Sequence, residues 1–189
     1  MLLNTQSADF EQLFELAPIS LWLEDYSALK ALFVLWRSEG VTDLVSHIER
    51  NPSLVAQCSA CYQVLKVNQK TLQVFAARSQ AELLTRLPEI FKGDMLGTML
   101  TELDHLWNGR LDFSSQSVNY ALDGRRLDVR IHVRILQGHE ESWDRVMVSL
   151  EDITAQVAAQ TELNLSEQYA RSLFEHSPVS LWVEDFSGV

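Results

Sequence analysis

The chain has little cysteine, no block of positive charge and no long apolar run. Two cysteines among 189 residues cannot build a disulfide scaffold. Lys and Arg number 15 against 26 Asp and Glu, a formal net charge of −11. That balance, with no basic run, argues against nucleic acid or an anionic membrane as partner. No stretch of about 18 apolar residues is present to span a bilayer. The opening MLLNTQSADFEQ lacks the charged and apolar regions of a secretory signal, so a cytoplasmic location is expected. GxSxG, P-loop, GxGxxG, HxxxH and HExxH patterns are all missing, which leaves a stand-alone enzyme without a reactive constellation. What is there is ordinary for a globular protein: 47% hydrophobic, 9% aromatic and 22% charged residues. The whole chain is therefore not disordered.

An internal repeat organises the length. Residues 13–27 read LFELAPISLWLEDYS and residues 173–187 read LFEHSPVSLWVEDFS, identical at ten of fifteen positions at an offset of 160. An offset this long is not a solenoid period. Each copy is expected to open a whole domain, and the second copy, 177–189, to be the severed start of another.

Local patterns give the elements between the copies. Residues 7–17 read as a helix with Ser7 as a possible N-cap, stopped by Pro18. In 19–25, Ile19, Leu21 and Leu23 alternate with Ser20, Trp22 and Glu24, the period of a strand. Which of those faces is inward is left open by parity alone. Helical character follows over 27–60. Leu29, Leu32, Phe33 and Trp36 form a stripe ended by Gly40; Thr42 is expected to cap a second helix, and Asn51-Pro52 to start a third. Residues 61–67 read as a strand, with Asn68 capping a helix 69–77 and Ser79 one over 80–86. Pro88 is expected to break the chain before a helix 93–107. Then come a strand 111–121, an Asp123-Gly124 hairpin turn, a strand 126–136 with apolar residues at every second position, and a strand 144–151. Residues 153–176 form a Pro- and Gly-free helix, whose Ala159, Leu163, Ser166, Ala170 and Leu173 make a weak coiled-coil seam. The order implies an α+β fold on one mainly antiparallel five-stranded sheet.

That order resembles a PAS domain, the sensory module of many bacterial signalling proteins. PISLWLEDYS resembles its first strand, VLKVNQKTLQVF its second strand and following helix, LDGRRLDVRIHVRIL its fourth strand and VMVSLEDIT its fifth. Asp152, Ile153 and Thr154 match the family's Asp-Ile-Thr ending, where the sheet passes to a signalling helix. The resemblance implies a PAS-like five-stranded antiparallel sheet with helices on one face. It divides the chain into an N-terminal helical cap 1–12, a sensor domain 13–155, a signalling helix 156–176 and the truncated second domain 177–189. The helical stretch 27–60 departs from ordinary PAS domains, which join their first two strands by a tight hairpin. The variant with helices there is similar to bacterial sensors placed ahead of a diguanylate cyclase, the source of cyclic di-GMP, or a histidine kinase of a two-component system. The implied function is to bind a small ligand, or sense a state change, and relay it to an output domain, the cyclase being favoured. A ligand-free dimerisation module is the alternative, a homodimer pairing through the helices.

Few residues point to chemistry. Cys58 and Cys61 form a CxxC that could be a redox pair, a second alternative; without a second CxxC or paired His it is no structural zinc site, and two buried thiols are the plainer reading. His105 lies on the helix where haem-binding PAS domains carry a ligand, but a lone helical His is weak support. A flavin photosensor would need a Cys in an Asn-Cys-Arg-Phe stretch, which is absent. No cofactor is assigned. Glu24-Asp25 and Glu151-Asp152 are adjacent carboxylates that a strand sends to opposite faces, so neither is an acid/base pair. A pocket between sheet and helices remains, with Trp22, Phe91, Met95, Met99 and Phe113 as candidate walls.

Overall fold

Alternation and helical stripes place the elements, and the computed structural model describes residues 2–92 and 95–175. It divides into two units, Met1–Ile153 and Thr154–Val189. The repeat copy 177–189 lies outside the described residues. In the first unit, α1 (Leu2–Leu16), β1 (Ser20–Asp25), α2 (Ser27–Ser38), α3 (Leu44–Arg50), α4 (Ser53–Ser59) and β2 (Gln63–Val67) are followed by α5 (Gln69–Val74), α6 (Gln80–Thr85), α7 (Leu87–Ile90) and α8 (Met95–Trp107). β3 (Asp112–Tyr120), β4 (Arg126–Ile135) and β5 (Val146–Asp152) complete one sheet of order β2-β1-β5-β4-β3. Every neighbouring pair is antiparallel.

Strand parity settles which face is inward. Trp22 is buried while Ile19 is exposed, so Ser20, Trp22 and Glu24 face the core. Leu127, Val129, Ile131, Val133 and Ile135 of β4 are all buried, as are Val146, Val148 and Leu150 of β5. The other face of β4 is ionic: Arg130 pairs with Glu151 at 2.7 Å, and His132 and Arg134 both reach Asp112. The stripe Leu29, Leu32, Phe33 and Trp36 is buried throughout, each side chain contributing about 1.5–3 kcal/mol. Gly40, at φ +90, closes α2 in the left-handed conformation.

Caps show where local reading succeeds and fails. Asn68 Oδ1 accepts from Thr71 N–H at 3.0 Å, and Ser79 Oγ from Glu82 N–H at 3.2 Å, as their positions suggest. Asn68 does more than cap. Its Oδ1 also accepts from Leu21 N–H, and its Nδ2 donates to the Phe14 and Ile19 carbonyls at 3.1 and 2.9 Å, tying α1, β1 and α5 together. Four expectations need correction. Asp43, not Thr42, caps α3, because its longer acidic side chain accepts from both the N–H and the hydroxyl of Ser46. Ser7 lies inside α1 rather than at its start. Pro52 itself occupies the N-cap of α4, and Asn51 accepts from the Ser53 hydroxyl instead. Pro88 does not break the chain but sits in the first turn of α7, where a missing N–H costs nothing.

The second unit is the helix α9 (Thr154–Glu175), on which Leu163, Leu165 and Tyr169 are exposed. Among the described residues, no helix is long and apolar enough to cross a membrane.

Candidate ligand cavity

The core-facing side of the sheet does not close completely on its helices. A cavity of about 620 Å³ lies between β1, β4 and β5 on one side and α4, α7 and α8 on the other. Trp22, Ile131, Val133, Val148 and Leu150 form its sheet wall, with Tyr26, Tyr62 and Val64 beside them. Ser59, Leu87, Pro88, Phe91, Met99 and Glu102 come from the helical side. A register shift between Leu23 and Glu24 brings Val64, not Leu65, opposite Glu24. That bulge turns the Tyr62 and Val64 side chains into the cavity beside the carboxyl.

The expected wall residues separate here. Trp22 lines the cavity and is 1% exposed; its ring meets Phe75 edge-on at 5.7 Å and Phe91 at 6.4 Å. Phe91, 39% exposed, sits at the rim. Met99 lines it too, its sulfur accepting from the Ser59 hydroxyl at 3.2 Å. Met95 opens α8, and its side chain lies outside what is described. Phe113 is the correction. It faces inward but is not on the wall, because the last turns of α8 cover it and its ring packs on His105 at 4.9 Å. His105 is thereby an ordinary packing residue of that contact.

Polar groups that sequence reading missed give the cavity its chemistry. Glu24 and Glu102 both face it. The Glu24 carboxyl accepts from Tyr26 Oη–H at 2.6 Å. Burial pushes its pKa up to about 7, against the lowering effect of that hydrogen bond. Burial also raises Glu102, whose Oε1 accepts from the Ser115 hydroxyl at 2.5 Å. Tyr26 and Tyr62, edge to face at 4.5 Å, are pushed well above the ordinary phenol value, first by burial and then by the neighbouring carboxyls, and stay neutral. Asn119, 0% exposed, is among the lining residues, and both of its side-chain polar atoms are buried with no hydrogen-bond partner. A buried, unmatched amide is rare and costly. The signal for these residues is present but faint. Glu102 falls three residues after Met99 on the apolar stripe of α8, and Asn119 shares the parity of Phe113 and Ser117 on β3.

The two thiols are not among the lining residues, although both lie close enough to influence the Tyr62 phenol. Cys58 is buried and its pKa is pushed up to about 12 by that burial, with Cys61 raised for the same reason. Thiolate is scarce at both near neutral pH, which disfavours rapid reaction with oxidants. Among the described residues, no group of three or more His, Cys, Asp or Glu could hold a metal ion.

No family model and no curated protein matches the sequence. Solved structures do match. An RNA-binding light-oxygen-voltage receptor superposes with a TM-score of 0.59, at 12% identity, over 92% of this chain and 40% of that one. A light-oxygen-voltage domain studied with a flavin analogue gives 0.52 at 11% identity, over 85% and 96% of the two chains. The fold is that of a PAS domain. Its five antiparallel strands follow the PAS order, and the helices α2–α4 occupy the place of the usual hairpin. The cavity therefore lies on the helix-covered face of a PAS sheet. Asp152, Ile153 and Thr154 stand where the PAS sheet ends: Asp152 closes β5, the Ile153 N–H donates to the Asp128 carbonyl at 2.8 Å, and Thr154 opens α9.

Proposed function

We propose that this chain is the sensory part of a larger signalling protein, taking a small molecule into the cavity and passing the change through the Asp152-Ile153-Thr154 junction to α9. The observation that carries this reading is a 620 Å³ apolar cavity whose wall holds an amide with no partner. Apolar walls with a few convergent polar groups are the usual make-up of small-molecule sites. A ligand can shift an output only by binding one arrangement better than another. Two carboxyls and an unmatched amide are groups whose energies a ligand changes strongly. The resemblance of the sequence to sensors ahead of diguanylate cyclases supports a cyclase as the output, with a histidine kinase as the alternative.

The test is to denature the purified chain and identify released small molecules by mass spectrometry, then add each back in a thermal melt. A released compound that raises the melting temperature is the expected result. Failure of any released compound or added metabolite to change stability or output activity overturns the reading.

A second reading, a ligand-free dimerisation module, draws on Phe10, Leu13 and Leu16, which leave α1 with an exposed apolar face continued by Ile19. Such a face favours association. Removal of residues 1–12 that abolishes a concentration-dependent dimer, with no cavity binder found, supports this alternative.

A further inference from the structure

We propose that the cavity selects an organic cation: an ammonium group seated between Glu24 and Glu102 against the Tyr26 and Tyr62 rings, on an apolar body with a hydrogen-bonding group for Asn119. This rests on the cavity being a ligand site and names the class of ligand.

Charge makes the first argument. Glu24 and Glu102 face one largely apolar space, and among the described residues its wall contains no Lys, Arg or His. No cationic group is among the influences on either carboxyl. A buried carboxylate without a counter-charge is expensive, and the group answers by holding its proton. An entering cation supplies the missing charge. An anion would meet two carboxyls and none of the compensation.

Ring geometry makes the second. Tyr26, Tyr62 and Trp22 present aromatic surface to the same space. Ammonium groups are attracted to such faces, most strongly where water is excluded. Elsewhere the protein fills this role itself: Lys30 Nζ lies 5.3 Å from the Trp143 ring centre, and the Arg37 guanidinium 4.4 Å from that of Trp107. The cavity rings have acidic neighbours and, among the described residues, no such cation on the wall.

Asn119 is the third, independent observation. Its amide has a donor and an acceptor to satisfy and satisfies neither. A purely hydrocarbon amine would leave both unmet. Asn119 is among the lining residues, so a hydroxyl or amide on the body of the ligand meets them once the buried amide turns toward it.

The titratable groups facing Glu24 are Tyr26 at the end of β1, Tyr62 before β2 and Glu102 on α8. Both phenols stay protonated near neutral pH, where Glu24 changes charge. Cation binding favours the ionised Glu24, so affinity rises as the pH climbs through its value of about 7.

Tyramine is the probe, titrated by calorimetry into the 189-residue chain beside two near-isosteres, the neutral 4-(2-hydroxyethyl)phenol and the anionic 3-(4-hydroxyphenyl)propanoate. Tyramine is expected to bind at least about tenfold more tightly than the neutral phenol, and the propanoate least. Lowering the pH from about 8 to about 6 should weaken tyramine by about tenfold and leave the neutral phenol unchanged. Glu24→Gln should remove that pH dependence, and Glu102→Gln should weaken tyramine while leaving the melting curve cooperative. A neutral or anionic isostere binding as tightly as tyramine overturns the cation and leaves the ligand site standing. So does unchanged tyramine affinity in both variants. Failure of all three probes overturns the cation class, while the released-compound experiment still decides the ligand site by itself.

Discussion

Two regions of the first unit are assembled from the same residue types with opposite results. Around α2, Phe33 meets Trp107 edge-on at 5.1 Å, Trp143 at 6.1 Å and Trp36 at 6.1 Å. Lys30 and Arg37 cap the outer rings, and the Trp143 carbonyl accepts from Tyr26 N–H at 2.8 Å. Trp143 takes φ +57 to reach its place, a conformation that bulky residues rarely adopt and that the surrounding contacts hold. Around the cavity, Trp22, Tyr26 and Tyr62 also gather, but with two carboxyls, an unmatched amide and open space. The first region is matched internally in charge, although Phe33, Trp107 and Trp143 also border an open surface cleft. The second lacks that match: among the described residues its carboxyls have no cation on the wall, and its amide has no partner. Stability concentrates where partners are supplied by the chain, and binding capacity where they are withheld.

The sharpest break of this contrast is a pair of truncations. Phe33→Ala removes a ring from a closely packed cluster and should cost about 3–5 kcal/mol in urea unfolding. Met99→Ala removes a side chain that already borders open space, so fewer contacts are lost; its cost should fall at or below the low end for such truncations, about 2 kcal/mol. Equal losses would mean that the cavity wall is as tightly packed as the aromatic cluster, and the contrast would fail.

The same division decides what was legible in the sequence. The β4 alternation from Leu127 to Ile135, the α2 stripe, Gly40 and the Asn68 cap are readable because each depends on neighbours within one or two turns. The α2–α4 insertion was legible as helices for the same reason. Trp22 could be named but not oriented, since parity separates two faces without saying which is inward. Glu24, Glu102 and Asn119 resist local reading more strongly. A polar residue on an apolar stripe looks like an interruption until the tertiary fold places three such interruptions, from β1, α8 and β3, around one space. Phe113 failed the other way: its parity is inward, yet which inward residue reaches the cavity depends on where α8 crosses, and α8 covers it.

Charge gives the next test. The Glu24 carboxyl is raised from 4.5 to about 7 in the folded state. Between those values the native protein holds a proton that the unfolded chain releases. Its contribution is favourable below pH 4.5 and is lost as the pH rises through about 7, a change of up to about 3 kcal/mol. Glu24→Gln carries no such proton. The stability of the variant relative to the parent should therefore increase from about pH 5 to about pH 8, as followed by urea midpoints. A constant difference across that range would show a solvated carboxyl, and the cavity would lose its electrostatic distinction from the aromatic cluster.

The smallest effect tests the amide. Asn119→Leu keeps the approximate shape at a buried strand position and removes two polar atoms that have no partner. Relief of an unmatched buried group should raise stability by about 1–2 kcal/mol. The same substitution should abolish binding of a ligand that uses the amide, so stability and affinity move in opposite directions. Simple packing damage moves them together, because a distorted wall loses both. An Asn119→Leu protein that is less stable than the parent while its ligand affinity is unchanged would show that the amide is already satisfied in solution. The cavity would then be a polar core matched by water, closer in kind to the aromatic cluster than to a site that waits for a partner.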